Sequence, residues 1–417
     1  MASVQARRVE YQGKQAVVLE SPQVVTIVES AGGMVPVFAV RRGASILNAH
    51  WIPDFRDVSG TPYVESVHGP YWKVKLLHRI AGDFPCTPSF GGACEVDGVS
   101  HPVHGWGANE EWVVDGVGVD PGSGAGWARS TLRCPAPPAL PLTYEKLDLV
   151  LPGQPASYSF IRIRNAGDAP VSINLVRHNT VGAPFLAPGC RVTVCADRFM
   201  AAPVGTEFDP TGRLLQGAEF ERLSAAPLRG GGTVDLREVP GMIGHSDFVM
   251  GAVPERLALG WSCVVNPVLK LAYVCFFPGL AGLPAGEVAP SFNELWLQYG
   301  GRSAAPWAMF DGGDDRTFCL GTENGTSSFN LGLGYARANP VLLGRPTVFE
   351  VPARGARTFA YGTALVALDD ALVREGVEGI EAEPGAMVLA GARAFQRAEV
   401  GADFAAARAL VAQLDRG

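Results

Sequence analysis

The sequence predicts an all-β chain: one large antiparallel β domain, residues 1–366, followed by a short helical C-terminal extension, residues 367–417. Three observations carry this expectation. The 51 glycines and 32 prolines make up about a fifth of the 417 residues, a load that long helices do not tolerate but turns between short strands require. Short β-branched and aromatic runs recur along most of the chain. A clear helical period appears only near the end.

The elements follow in order. Ala16–Glu20 and Val24–Glu29 are β-branched runs separated by Ser21-Pro22, and Val35–Arg41 follows a Gly-Gly turn. Leu147–Leu151 stops at Pro152-Gly153, and Tyr158–Arg164 alternates polar and apolar residues as a half-buried strand does. The turn-rich segment Asn165–Pro170 then leads into Val171–Arg177, which reads as the return strand of a hairpin that delivers His178 at its end. Further strands are expected at Leu257–Val265, Leu269–Phe277, Glu294–Tyr299, Thr317–Gly321 and Val348–Pro352. Asp369–Glu375 reads as a short helix. Gly401–Asp415 reads as an amphipathic one, with Phe404, Ala407, Val411 and Leu414 on one face. The extension is expected to pack on the β domain or to join two copies as a homodimer.

Composition narrows the classes of function. Charged residues are 18% of the chain and hydrophobic ones 47%, against about 25% charged in an average protein, so a folded core is expected. A net charge of −7 with no basic run speaks against nucleic acid as a partner. The N-terminus lacks an apolar stretch of the signal-peptide kind, and Leu269–Leu283 is broken by Pro278 and Gly279, so neither secretion nor a membrane partner is expected. Eight cysteines without a C-x-x-C spacing, Cys263 and Cys275 among them in apolar runs, read as reduced thiols in a cytoplasmic protein.

Three segments hold residues suited to chemistry. His101 and His104, in H-P-V-H-G-W-G-A-N, have half the spacing of a metal site, but Pro102 and Gly105 work against the helix that such a site uses; read structurally, they are loop histidines beside tryptophans. His178 follows a strand, where it serves either as a hydrogen-bonded structural residue or as a general acid or base near neutral pH. Glu323 stands where the apolar Phe318 and Leu320 run into Gly325, either as a solvated turn carboxylate or as a base at the mouth of a sheet. No nucleophile elbow, phosphate loop or dinucleotide fingerprint is present.

In order and spacing, these segments resemble the aldose 1-epimerase (galactose mutarotase-like) superfamily. The resemblance rests on Ile80-Ala-Gly-Asp-Phe-Pro85 through Gly91-Gly92, on His104-Gly105-Trp106 through Trp112, and on the strand, turn and strand ending in Arg177-His178. It continues in Trp296 through Gly301, Pro306-Trp307 and Leu320-Gly-Thr-Glu323, and spans roughly residues 25–365. It implies a large twisted antiparallel β-supersandwich whose concave face binds a small-molecule sugar. It also implies Glu323 as the base that takes the anomeric proton, and His178 as the acid that protonates the ring oxygen. His104, Trp106, Asn109, Asp247 and Trp296 would bind the substrate, with Trp106 or Trp296 as a stacking wall. Moving one proton off O1 and one onto O5 needs neither a metal nor an organic cofactor.

Four departures bear on the substrate. Ala81 and Ala108 stand where sugar-phosphate members of the family carry arginines, Asn179-Thr180 interrupts the histidine motif, and Asn324 replaces a proline after the glutamate. With Asp83, Glu110 and Glu111 adjoining, an uncharged aldose or glycoside-derived sugar is the expected substrate, although Lys73, Lys75 and Arg79 lie near in sequence. A non-catalytic carbohydrate-binding or regulatory module of the same fold remains the alternative. It would be favoured by a Glu323 turned to solvent or locked in a salt bridge.

Overall fold

The computed structural model describes residues 3–43, 45–135, 140–308 and 316–415. Two large, mainly antiparallel sheets dominate it. The back sheet runs in the order Arg191–Val194, Leu259–Asn266, Leu271–Pro278, Ala356–Ala367, Ala156–Asn165, Leu142–Val150, Gly126–Arg133 and Val113–Val119. The front sheet runs Glu219–Phe220, Phe199–Ala201, His245–Ala252, Phe292–Tyr299, Phe318–Thr326, Leu175–Arg177 and Pro85–Cys86; Thr180–Gly182 also pairs with Phe318–Thr326. A separate five-stranded antiparallel meander, Gln5–Tyr11 through Ser45–Asn48, precedes both.

Successive side chains of a strand point to opposite faces, and in the front sheet this alternation divides two apolar cores. Val249, Leu295, Leu297 and Leu320 join the larger core, which is shared with back-sheet residues such as Val274 and Tyr361. Their neighbours Phe248, Met250, Phe292, Trp296 and Cys319 belong to the second core on the other face. The functional side chains described below all lie on that second face.

Between the sheets runs a buried ionic layer. The Arg177 guanidinium donates through Nε (3.0 Å) and Nη2 to the two carboxylate oxygens of Asp83 and lies 5.4 Å from the centre of the Tyr361 ring. Lys146 and Asp148, equally buried, form a second ion pair at 2.8 Å. The Tyr361 hydroxyl donates to Asn324 Oδ1 at 2.9 Å, and Asn324 Nδ2 donates to Asn293 Oδ1 at 2.7 Å. Asn324 thus has a defined place between the sheets, directly behind Glu323.

Several sequence expectations are refined. The strand ending at His178 is not the return of a hairpin with Tyr158–Arg164. It breaks at Asn174, whose Nδ2 donates to Thr326 O and Thr347 O. Its first half, Val171–Ile173, pairs with Phe349–Val351, while Leu175–Arg177 enters the front sheet. Pro102 and Gly105 do not prevent a helix either, since Gly105–Asn109 forms one short turn. The C-terminal extension contains the helices Asp370–Glu375 and Ala405–Leu414, but also a three-stranded sheet, Gly379–Glu383, Ala386–Ala390 and Phe395–Ala398. It packs on its own chain. Phe404 meets Tyr158, Phe160 and Phe276, the last at 5.3 Å between ring centres, and Arg408 grips Glu287 with two bonds of 2.8 and 2.9 Å. All eight cysteines are free thiols.

The ionic layer has a measurable consequence for stability. Arg177→Met leaves the Asp83 carboxylate buried without its partner, which costs about 3–5 kcal/mol when one member of a buried pair is removed. Denaturant unfolding followed by tryptophan fluorescence should show a loss of that size. A change under about 1 kcal/mol would mean that water reaches Asp83 in the native state.

Candidate functional site

Phe318–Thr326 positions the site. Arg177 pairs with Asn324 on one side of a short break and Thr180 pairs with Gly321 on the other, and Thr322 N–H bonds Asn179 O at 2.8 Å. The same register therefore sets His178 directly opposite Glu323, on the same face. On the other flank Glu294 is the register partner of Glu323, and Trp296 is that of Gly321. A Cβ at position 321 would lie 2.7 Å from Glu323 Oε1 and 2.9 Å from Trp296 Cβ, so only glycine leaves room for both side chains.

His178 Nε2 stands 3.6 Å from Glu323 Oε1, and both side chains are almost wholly buried. The imidazole stacks on Phe84 (4.5 Å, 13°) and takes the His104 ring edge-on at 5.0 Å, while its Nδ1 lies 3.2 Å from Thr180 Oγ1. His104 is held in a left-handed backbone conformation (φ 59°), costly for a residue with a side chain, and is followed by Gly105, where a Cβ would meet Thr87 O at 2.4 Å. Its Nδ1 accepts the Gly91 N–H at 3.3 Å, which leaves Nε2 to carry the ring proton in the neutral form.

Burial decides the charge states. It lowers the His178 pKa well below the usual histidine value, with neighbouring His104 adding to the effect, and it lowers His104 to about 4. Burial also raises the Glu323 carboxyl well above the usual carboxylate range, with the Glu294 and Glu207 charges adding to the effect. Glu294 is itself pushed up to about 8 by burial, opposed by a 2.7 Å hydrogen bond from Ser327 Oγ. Burial therefore favours an uncharged imidazole beside an uncharged carboxylic acid, a pair that together holds one proton to give.

These residues line a cavity of about 390 Å³, inside the ~300–1,000 Å³ range of small-molecule sites. His104, His178, Trp296 and Glu323 share it. Four buried polar atoms on its lining residues have no hydrogen-bond partner: Trp296 Nε1, Arg302 Nε, Glu323 Oε2 and Asn330 Oδ1. Two are donors. Asn330 Oδ1 accepts, and Glu323 Oε2 does either according to its protonation, so the set suits a ligand rich in hydroxyls.

The architecture matches solved structures closely enough to settle the fold. A candidate aldose 1-epimerase from Klebsiella pneumoniae aligns with 87% of this chain and 81% of its own length, at a TM-score of 0.62 and 14% identity. A galactose mutarotase-like protein from Clostridium acetobutylicum aligns over 88% of this chain and 99% of its own, at 0.56 and 10% identity. A candidate aldose 1-epimerase from Escherichia coli K12 covers 84% and 98%, at 0.51 and 14% identity. The chain has the galactose mutarotase-like fold. No family model and no curated protein matches its sequence. Since one fold hosts many activities, function must be read from the site.

Within the mutarotase-like fold, three residues expected at the site lie elsewhere. Trp106 is buried against His101 (5.1 Å between rings) and is not in the cavity lining. Asn109 spends its amide on Val103 O and Gly105 O, at 2.6 and 2.7 Å, and so closes the short Gly105–Asn109 turn. Asp247 precedes Phe248, so strand alternation turns it to the face away from the cavity. There it accepts the N–H groups of Arg213 and Leu214 at 2.9 and 3.1 Å.

The charges read near the site are also spent elsewhere. Asp83 holds Arg177, Arg79 meets Glu111 at 3.0 Å, and Lys75 meets Glu110 at 3.4 Å. None of these six lines the cavity. The cation that does is Arg302, whose guanidinium lies 4.5 Å from the Trp307 ring centre and forms a two-pronged pair with Glu207 at 3.3 and 3.4 Å. No sequence pattern marks Arg302, which follows Gly300-Gly301 in irregular chain. Glu294 was legible, because it precedes Trp296 by two residues and so shares its face.

The carboxyl row predicts a titration. Glu294→Gln keeps the shape and the bond from Ser327 but removes the charge that raises Glu323. Carboxyl-carbon NMR should show the Glu323 pKa move down in the variant. An unchanged or raised value would show that the two carboxyls do not interact.

Proposed function

We propose that the protein is an isomerase of the aldose 1-epimerase type that interconverts the anomers of an uncharged sugar. The observation that carries this reading is the 3.6 Å approach of His178 Nε2 to Glu323 Oε1 on the floor of the cavity, with no other cation among the described residues pairing the carboxyl. Oε2 of Glu323 is also buried without a hydrogen-bond partner, and it belongs to a cavity-lining residue, where a ligand hydroxyl can meet it. The alternative, a non-catalytic sugar-binding module, needs no such desolvated pair.

Ring opening removes the proton from O1 and delivers one to O5, and reclosure on the other face of C1 reverses both transfers. A pair that holds a single proton supplies both roles without net change. With the proton on Glu323, as burial favours, Glu323 is the acid and His178 the base. For Glu323 to act as base, the role implied by the sequence resemblance, its proton must first pass to His178. Either way the cycle returns the pair to its starting state. His104 Nε2–H is a donor suited to a sugar hydroxyl, and Trp296 offers an aromatic wall for the C–H face of a pyranose.

The uncharged substrate follows from Arg302. Its charge is already met by Glu207, and burial favours the neutral form of His178, so a dianionic phosphate finds no free cation among the described lining residues. Anomer exchange of D-glucose and D-galactose, followed by NMR, should be accelerated by the protein and should fall about 10²–10⁴-fold in Glu323→Gln, the usual contribution of one acid–base group. An aldose panel exchanging no faster than in buffer would remove the enzyme reading in favour of the binding module.

A further inference from the structure

The cavity has two chemically distinct linings. The floor is the front sheet, with His178, Trp296 and Glu323. A wall comes from the chain segment that carries two short helices, Glu65–Trp72 and Lys75–Arg79, and supplies Val74, Leu76, Leu77 and Ile80. Val103 and Leu331 extend this apolar lining, and Phe208, Phe248 and Trp307 join it.

Much of that wall is not used up by packing. Val74, Leu77, Val103, Trp307 and Leu331 touch the second core yet remain only half-buried, so each keeps apolar surface turned out of the core. A sugar hydroxyl placed against aliphatic side chains loses its water and gains no partner. The unpartnered polar atoms, Trp296 Nε1, Glu323 Oε2, Arg302 Nε and Asn330 Oδ1, meet the hydroxyl-rich part of a ligand. The aliphatic wall needs a different chemical group.

We propose that the substrate is an aldose carrying an apolar substituent away from C1, such as an acyl or alkyl chain, with the sugar ring on the sheet floor and the substituent against Val74, Leu77, Val103 and Leu331. This deepens the mutarotase reading and rests on it for the position of the ring. The substituent must leave the anomeric hydroxyl free, because the proton transfers begin there. Burying its methylenes against the wall is favourable, whereas an unsubstituted hexose leaves the wall uncovered.

The test compares D-glucose, D-galactose and D-mannose with their 6-O-hexanoyl esters, all below aggregation. Dissociation constants come from tryptophan fluorescence and calorimetry, and anomer exchange from NMR. At least one ester should bind tenfold or more tightly than its parent sugar, and Leu77→Asn or Val74→Asn should reduce that advantage. Equal affinity of esters and parents on the unaltered protein would overturn the proposal, whatever their turnover. So would an advantage that both variants leave intact. Esters that bind tightly while no sugar exchanges faster than in buffer would support the apolar site and remove the mutarotase reading, so the two failures are distinguishable.

Discussion

The antiparallel register of Phe318–Thr326 with its two neighbours is the constraint on which the site depends. It sets His178 across from Glu323 on one side and Glu294 across from it on the other. Because side chains alternate at every residue, a slip of one position would turn Glu323 into the inter-sheet layer and bring Asn324 to the cavity. The ionic layer resists that slip. Asn324 is tied to Tyr361 and Asn293, and Arg177 is tied to Asp83. The residues next to His178 and Glu323 in sequence thus lock that pair in phase from behind the sheet.

The same alternation accounts for the electrostatics. Charges that face the inter-sheet layer find partners there, Arg177 with Asp83 and Lys146 with Asp148. Glu323 and His178 face an apolar second core and stand 3.6 Å apart, so burial moves both toward their neutral forms. Two titratable groups held in their uncharged forms side by side differ from a salt bridge in one respect that matters for catalysis. On the proposed function, they can exchange a proton with a bound sugar without first breaking a strong ion pair.

Much of this was legible in the sequence. Period-two alternation and the density of turn residues mark the β architecture, and Glu323 and His178 stand out as polar residues at the ends of apolar runs. What was not legible has physical reasons. Trp106 and Asn109 sit in a motif with His104, but only His104 projects into the cavity, because the turn at Gly105 folds the others into packing and capping roles. Asp247 has the right residue type and the wrong strand phase. The strands of the C-terminal extension are short, and one of them, Gly379–Glu383, exposes three consecutive residues; a pattern that brief does not separate strand from turn. Arg302 owes its place to tertiary packing among Phe208, Trp296 and Trp307, which no local pattern encodes.

The central claim is that His178 and Glu323 work as one desolvated pair that holds a single proton. The pH dependence of anomer exchange tests it most directly. The active form is lost on the acid side when His178 gains a proton while Glu323 keeps its own, and its lowered pKa places that limb well below the usual histidine value of 6.5. The active form is lost on the basic side when Glu323 gives up its proton with His178 neutral, and its raised pKa places that limb well above the usual 4.5. The two limbs belong to the pair rather than to either residue. The account predicts a rate that does not fall from neutral pH down through pH 6.5. A rate that falls by half or more between pH 7.5 and 6.5 would mean that His178 titrates as a solvated imidazole, and would contradict it.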